Sequence, residues 1–210
     1  MIKAIWIGLH RISHQLRDRA RGYSDFYSFP FDVSTPLNQY AEQVLDEGGA
    51  ILEQLGIPYY VCDGTILGMI RDDRFIPHDN DIDVAVACEV DLDQVIKAFA
   101  DKGYTVGRKV FYRGKIQQLI FYSAQQVIFD ICFWRPAADG YCYHYVPEVP
   151  KGRRQPEAYF KAPEYIGFRG REYPTHPQIR DWLREHYGDD WQVPKHAKGD
   201  WRLDVKDLVE

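Results

Sequence analysis

Residues 62–86 read CDGTILGMIRDDRFIPHDNDIDVAV and carry the strongest structural and chemical signal in the chain. Asp81 and Asp83 stand at the mouth of an apolar run, residues 82–87, that predicts a buried strand. Side chains two residues apart in a strand share a face, so the two carboxylates can converge on one cation. Asp79 adds a third acid directly upstream. The segment therefore predicts a strand that begins in a cluster of carboxylates.

These carboxylates are expected to bind a divalent metal. Like charges this close repel and raise each other's pKa unless a cation neutralises them, and hard oxygen ligands favour magnesium, with manganese as the alternative. An EF-hand calcium loop would need glycine at its sixth position and glutamate at its twelfth, where this chain has Val84 and Val90. The remaining alternative is a solvated acidic turn that binds nothing.

Asp130 is the second informative acid, because it interrupts an apolar run at residues 127–133 that otherwise reads as a buried strand. An ionised carboxylate in such a place is costly unless it is paired or bound to a metal. An aspartate satisfied by a backbone or arginine partner is the alternative. We expect Asp130 to complete the metal coordination or to take the proton from an attacking hydroxyl.

A phosphate-binding corner is predicted where Gly64 and Thr65 stand between a strand and a helix. Glycine permits close backbone approach, and free N–H groups at a helix start attract phosphate. Arg71 and Arg74 follow on the same segment, where they can clamp phosphate oxygens or form surface salt bridges with the neighbouring aspartates. A short helix and loop would return the chain so that this corner and the acids share one cleft.

The pattern along the whole chain predicts an α+β fold with a mixed or antiparallel sheet flanked by helices. Residues 22–35 read as an irregular connection, and residues 147–175 are rich in proline, glycine and charge. Arg113 and Gly114 predict a tight turn between two strands. The predicted helices are 36–55 with Thr35 as N-cap, 65–71, 92–102 and 177–187; the predicted strands are 58–62, 82–87, 104–112, 116–123, 127–133 and an edge strand at 139–146.

Composition narrows the class of protein. The 210 residues suit one domain with a small appendage, and the net charge of -5 argues against a nucleic-acid binder, which usually carries a basic face. The four cysteines form no C-x-x-C pair, so we expect reduced thiols rather than zinc ligands or disulfides, and a cytoplasmic location. The sequence contains no run of about 18 apolar residues, so it predicts no membrane-spanning helix.

Residues 1–20 place apolar side chains at helical spacing with basic residues between them. This pattern predicts a basic amphipathic helix that either rests on an anionic lipid surface beside lipid-linked acceptors or packs on its own domain. The expected organisation is therefore a helix and connector at 1–35, a catalytic domain at 36–195 and a C-terminal tail at 196–210.

The segment GTILGMIRDDRFIPHDNDIDV, residues 64–84, resembles the signature of the LicD family, which includes phosphocholine transferases and fukutin-related proteins. That signature runs approximately G-T-L-L-G-x-x-R-x-x-x-x-I-P-W-D-x-D-I-D. Residues 129–131 resemble the later apolar-Asp-Ile element of the family, and residues 187–191 resemble its Y-G-D ending. The resemblance implies a nucleotidyltransferase fold, similar to that of polymerase beta. The departures from the signature are His78, Asn80 and Asp72.

The resemblance also implies a reaction. Members of the family transfer a phospho-alcohol, such as phosphocholine or ribitol phosphate, from a CDP-linked donor to a glycan or lipid-linked glycan hydroxyl and release CMP. The alternative is a nucleotidyltransferase that moves NMP from an NTP to a small-molecule or protein hydroxyl. A third possibility is a non-catalytic binding module with a relic cleft, against which the intact acids argue.

Residue roles follow from the same resemblance. Asp81 and Asp83 would bind magnesium that bridges the diphosphate, with Asp79 as an additional ligand, and Asp130 would be a further ligand or the base. Catalysis would be mostly positioning and charge neutralisation. The basic cluster at 151–154 is expected in a solvated loop, and contact with an anionic acceptor is its alternative. The residues expected to bind phosphate are Gly64, Thr65 and Arg71.

Overall fold

The computed structural model describes residues 18–27, 37, 39–149, 152–195 and 205–209. The amphipathic helix predicted over residues 1–20 lies almost wholly outside these ranges and stays a prediction. No helix in the described part of the chain has both the length and the apolar character that a membrane crossing requires.

The described residues form helices and strands in an order that alternates at first and then becomes rich in strands. The helices are α1 (Ala41–Gln54), α2 (Asp63–Asp72), α3 (Leu92–Asp101) and α4 (Ile179–Tyr187), with a 3-10 helix at Glu157–Phe160. The strands are β1 (Tyr23–Tyr27), β2 (Tyr60–Val61), β3 (Asp81–Val86), β4 (Thr105–Tyr112), β5 (Lys115–Tyr122), β6 (Ile128–Phe133), β7 (Arg135–Pro136), β8 (Tyr141–His144), β9 (Arg153–Pro156), β10 (Glu164–Phe168) and β11 (Arg171–Thr175).

The main sheet has eight strands in the order β1-β4-β5-β6-β3-β2-β11-β10. Strand β3 runs parallel to β6, and β11 runs parallel to β2, whereas the other neighbours are antiparallel. A second sheet has the order β7-β8-β9. The predicted α+β class with a mixed sheet is therefore confirmed.

Helices α1 and α3 cover one face of the main sheet. Phe99 of α3 stacks on Phe121 of β5, with ring centroids 4.1 Å apart, and also contacts Phe129 of β6. Gly48 of α1 lies so close to Phe129 that a Cβ there would overlap the ring. The glycine that weakens the helix by propensity therefore lets it approach the sheet. Because side chains alternate along a strand, Asp130, next to Phe129, faces away from these helices.

The first helix starts later than predicted. Helix α1 begins at Ala41, whereas the sequence predicted a start at Pro36 with Thr35 as N-cap. Thr35 and Pro36 lie outside the described residues, and Leu37 is not helical. The N–H of Leu37 donates to the backbone oxygen of Asp79 at 2.7 Å, which joins the chain before α1 to the loop before β3.

Two regions in which the sequence predicted no strand contain strands. Tyr23–Tyr27, within the predicted connection, pairs with β4 at the edge of the main sheet. In the proline- and charge-rich region, β9, β10 and β11 form, and β10 and β11 join through Arg169 and Gly170, both with positive φ. Arg113 and Gly114 also both have positive φ and connect β4 to β5, which confirms the turn predicted there. The predicted edge strand at 139–146 is instead β8, the centre of the second sheet.

Candidate active site

The parallel pairing of β3 with β6 brings three predicted acids together. Asp83 and Asp130 are direct partners in the register, so their side chains leave the same face of adjacent strands. Asp81 lies two residues before Asp83 on that face. One carboxylate oxygen from each of the three lies within 4.8 Å of the others. This acidic triad is Asp81, Asp83 and Asp130.

Helix α2 and the following loop return the chain to the acidic triad. The backbone N–H of Asp83 donates to Oγ1 of Thr65, at 2.9 Å, and Thr65 is buried. Gly68 lets the returning loop cross the helix, because a Cβ at this position would lie 2.6 Å from the backbone oxygen of Arg74. The predicted phosphate corner therefore lies beside the acids, with the Thr65 hydroxyl already joined to β3.

Asp79 lies next to the acidic triad rather than in it. Its carboxylate lies against the Cα of Gly64, where a Cβ would overlap it, so the glycine accommodates this side chain. Burial raises the pKa of Asp79 to about 6, against the opposing effect of Arg71. The groups of described residues that are close enough to share a metal ion do not include Asp79.

Burial and mutual repulsion make the acidic triad costly to ionise without a counter-ion. Burial, reinforced by Asp79 and Asp63, raises the pKa of Asp81 to about 7. The pKa of Asp83 lies well above its ordinary value because of burial and the neighbouring Asp81. Burial and Asp81 also raise the pKa of Asp130. Such groups favour either protonation or a bound cation.

Asp130 provides the clearest sign of a ligand. It is 4% exposed, and its Oδ2 accepts a hydrogen bond from Nε2 of Gln118 at 2.5 Å. Its Oδ1 is buried and has no hydrogen-bond partner among the described residues. A buried acceptor without a partner normally costs about 1–3 kcal/mol. Three neighbouring carboxylates, one of which has an unsatisfied oxygen, suit a divalent cation of the magnesium type.

A second group, Asp63, Asp83 and Cys132, is also compact enough to share a metal ion. Its Asp63 carboxylate, however, is already paired with Arg153, whose guanidinium donates at 2.8 and 3.1 Å. Cys132 and the other three cysteines are free thiols, as predicted. Burial raises the pKa of the Cys132 thiol well above its usual value, which disfavours the thiolate that binds metals. The acidic triad is the better cation site.

Sequence reasoning missed a buried ionic network beside the acidic triad. Asp63 accepts from Arg153 and lies 3.1 Å from Nε2 of His186, while Nδ1 of His186 lies 2.9 Å from Asp207. Nε of Arg153 also donates to Asp207 at 3.2 Å. The pKa of the Asp63 carboxyl lies well below its usual range, because Arg153 and His186 outweigh its burial. We call these four residues the Asp63–Asp207 network.

For Arg153, the network corrects the expectation of a solvated loop at 151–154, whereas Arg154 is exposed on β9 and Lys151 lies outside the described residues. Arg153 is only 4% exposed, and its cation faces Asp63 and Asp207 rather than solvent or an acceptor. No local pattern indicates this pairing, since Asp63 and Arg153 are 90 residues apart.

Arg71 lies in a cleft at the side of α2. Its Nη2 donates to Asp72 at 2.7 Å, which is the salt bridge left open as an alternative from the sequence. A role in phosphate binding stays a prediction. Tyr187 and Trp191 line the same cleft and are buried, so the Y-G-D segment both packs on the domain and forms a wall near Arg71. Burial and the nearby Asp63 raise the pKa of Tyr187.

Together, the mixed sheet and the acidic triad define the class of this protein as an α+β domain with a nucleotidyltransferase-type fold. The model of one family, described as LicD/FKTN/FKRP, nucleotidyltransferase domain, matches residues 56–175, and the chain belongs to this family. The resemblance identified from residues 64–84 is thus confirmed.

Curated relatives agree with this assignment. "Ribitol-5-phosphate transferase FKTN" of Homo sapiens is 23% identical over 166 residues, which cover 77% of this chain and 35% of that protein. The protein of the same name from Macaca fascicularis is 24% identical, with the same coverage. "Uncharacterized protein RP689" of Rickettsia prowazekii is 32% identical over 72 residues, or 33% of this chain and 27% of that protein. The chain spans about a third of the length of the FKTN relatives.

Solved structures show more distant likeness. The lincosamide antibiotic adenylyltransferase LnuA, in its lincomycin-bound form, matches with a TM-score of 0.45 and 15% identity over 71% of this chain and 86% of that one. ANT(2")-Ia in complex with adenylyl-2"-tobramycin matches with a TM-score of 0.39 and 16% identity over 72% and 77% of the two chains.

Proposed function

We propose that this domain transfers a phospho-alcohol, such as a polyol phosphate or phosphocholine, from a CDP-linked donor to a glycan hydroxyl and releases CMP. Magnesium bound by Asp81, Asp83 and Asp130 would neutralise charge on the donor diphosphate. The observation that carries the proposal is the convergence of these three carboxylates, with Oδ1 of Asp130 buried and unpartnered. The family match and the ribitol-phosphate transferase relatives support a phospho-alcohol as the transferred group.

The other site residues would bind and orient the donor. The first N–H groups of a helix lack partners within the helix, so the start of α2 at Gly64 and Thr65 is suited to phosphate. Because the Thr65 hydroxyl accepts from Asp83, it also fixes the position of β3 relative to α2. Arg71, in the adjoining cleft, would balance charge that develops on the leaving CMP.

The acceptor and the location belong to the same proposal. The acceptor would be a glycan or lipid-linked glycan, and the basic helix predicted at residues 1–20 would bring the domain to its surface. The free thiols of the four cysteines support a reducing, cytoplasmic compartment.

The decisive experiment compares Asp81→Ala with Asp101→Ala in CMP release from CDP-ribitol, CDP-choline and CDP-glycerol in the presence of magnesium, with an added glycan or water as the acceptor of the phospho-alcohol. Asp101 is an exposed acid at the end of α3, where it pairs with Lys97, so its loss should leave turnover unchanged. Asp81→Ala should lower CMP release by about a hundredfold or more, since even outer-shell changes cost 10- to 100-fold.

Both variants should remain folded, which urea unfolding in EDTA will check. Full turnover by folded Asp81→Ala would contradict the metal assignment. Release of pyrophosphate from an NTP, without CMP release from any CDP-alcohol, would favour the nucleotidyl-transfer alternative.

A further inference from the structure

The two oxygens of the Asp130 carboxylate have different surroundings. Oδ2 accepts the 2.5 Å hydrogen bond from Gln118 of β5, and Oδ1 has no partner among the described residues. Asp130 lies in the centre of β6, with each of its strand neighbours buried. The side-chain rotamer of Asp130 therefore decides whether Oδ1 points towards Asp81 and Asp83 or into the apolar surroundings of β6.

The orientation of the Gln118 amide follows from its other partner. Nη1 of Arg108 donates to Oε1 of Gln118 at 3.1 Å. A guanidinium has no acceptor, so the amide must present its oxygen to Arg108 and its NH₂ group to Asp130. The Gln118 amide thus donates to Oδ2 of Asp130, and a flip of the amide would break its hydrogen bonds to both Asp130 and Arg108.

Arg108 is itself fixed from the edge of the sheet. Its Nε and Nη2 donate to the two carboxylate oxygens of Asp25 on β1, at 3.1 and 2.8 Å, and Nη2 also donates to Glu148. The side chains of Arg108 and Asp25 are 8% and 6% exposed, so this pair is shielded from water. Bidentate pairs of this kind set geometry as well as energy.

We propose that Gln118 is a positioning residue that directs Oδ1 of Asp130 towards Asp81 and Asp83. Gln118 is the last residue in a chain of hydrogen bonds that runs from Asp25 through Arg108 to Asp130. The inference rests on the proposed metal site at these three acids. Outer-shell partners that orient metal ligands typically change metal affinity by about 10- to 100-fold when they are lost. β1, which the sequence did not predict, is then part of the support for the site.

The test measures Mn²⁺ binding to the full chain by the electron paramagnetic resonance signal of the free ion. Gln118→Met keeps a similar volume but removes the donor, and should raise the Mn²⁺ dissociation constant about 10- to 100-fold. Gln118→Asn keeps an amide that is too short to join both partners, and should also weaken binding. The matched control is Gln117→Met, because Gln117 bonds Tyr145 and Lys115 instead.

Urea unfolding in EDTA separates a loss of metal affinity from a loss of fold. Weaker Mn²⁺ binding by both Gln118 variants, with Gln117→Met close to the parent chain, supports the proposal. An unchanged dissociation constant in folded Gln118→Met, or an equal loss in Gln117→Met, overturns it. If Asp130→Asn weakens Mn²⁺ binding but Gln118→Met does not, only the positioning role fails. Absence of Mn²⁺ binding by the parent chain overturns the metal site and the positioning role together.

Discussion

Gly68 lies at the middle of α2, where the loop that leads to the acids folds back across the helix. A Cβ at this position would lie 2.6 Å from the backbone oxygen of Arg74 and 3.0 Å from the backbone nitrogen of Ile76. Backbone atoms, unlike the end of a flexible side chain, cannot easily move away from an added Cβ. The absence of a side chain at Gly68 therefore lets residues 74–76 run close enough to carry Asp81 and Asp83 back to the start of the same helix.

In Gly68→Ala, overpacking should cost about 1–3 kcal/mol. A gain in helix propensity of about 1 kcal/mol opposes this cost, so we expect the free energy of unfolding to fall by up to about 2 kcal/mol. The control is Gly167→Ala in β10, because no atom lies within 4 Å of a Cβ added there. Urea unfolding of both variants is the measurement, and a stability of Gly68→Ala above that of the parent would contradict the close approach.

Asp63 shows how a single backbone conformation connects two parts of the site. Its φ is 48°, in the left-handed region that is unfavourable for most residues and least so for aspartate, asparagine and glycine. The cost of this backbone conformation is offset because the Asp63 carboxylate forms ion pairs with Arg153 and His186. The first residue of α2 is thereby anchored to β9 and α4, and Gly64 and Thr65 follow directly from it.

At the scale of elements, the segment 205–209 pairs with β9 through an isolated antiparallel bridge between Leu208 and Arg153. The N–H of Arg154 donates to the backbone oxygen of Asp207 at 2.8 Å, and the N–H of Val209 donates to Gly152 at 3.0 Å. The side chain of Asp207 reaches Arg153 and His186 in the interior. A segment predicted as part of a tail therefore supplies a buried charge to the Asp63–Asp207 network.

Asp207→Asn should destabilise the protein by about 3–5 kcal/mol, because it leaves the buried Arg153 with one counter-ion fewer. The burial of both partners, at 5% side-chain exposure each, is why a large value is expected. Asp101→Asn is the control, since its pair with Lys97 is exposed and contributes little. Urea unfolding measures both. A change for Asp207→Asn no larger than that of the control would show that the network does not stabilise the fold.

At the scale of the whole molecule, the raised carboxyl pKa values determine how stability depends on pH. A group whose pKa is higher in the folded than in the unfolded state binds more protons when folded, so stability falls as pH rises through that interval. For Asp79 and Asp81 the interval runs from the ordinary value of 3.8 to about 6 and about 7. The pKa of His186 is also raised, by Asp207 and Asp63 against its burial, so its contribution is lost at higher pH.

We therefore expect the metal-free protein to be less stable at pH 8 than at pH 5.5, and magnesium to stabilise it more at pH 8. A ligand at 100 times its dissociation constant adds about 2.7 kcal/mol when it binds only the folded state. Thermal unfolding with and without magnesium at the two pH values measures both effects. The Asp81→Ala variant should lose most of the magnesium effect. An equal magnesium effect at both pH values, or in this variant, would argue against a cation at the acidic triad.

The sequence predicted the centre of this fold well because its signals there are local. Short apolar runs at residues 82–87 and 127–133 indicate β3 and β6, and Asp83 and Asp130 stand out in them as isolated acids next to buried apolar side chains. The paired Arg113 and Gly114 specified a turn for a similar local reason. Strand β1 and the hairpin of β10 and β11 escaped prediction, since their residues carry little apolar alternation and pair only with distant partners.

The sequence by itself determined the α+β class, the family and the acids of the candidate site, because each depends on residue type and short spacing. Only the tertiary structure decided which oxygen of Asp130 is unpartnered, that Asp79 lies outside the acidic triad, and that Gln118 bonds Asp130 while Asp63 bonds Arg153. The reason is physical. A hydrogen bond or ion pair between polar side chains 12 to 90 residues apart leaves no periodic pattern in the chain, and it exists only once the sheet has brought its strands together.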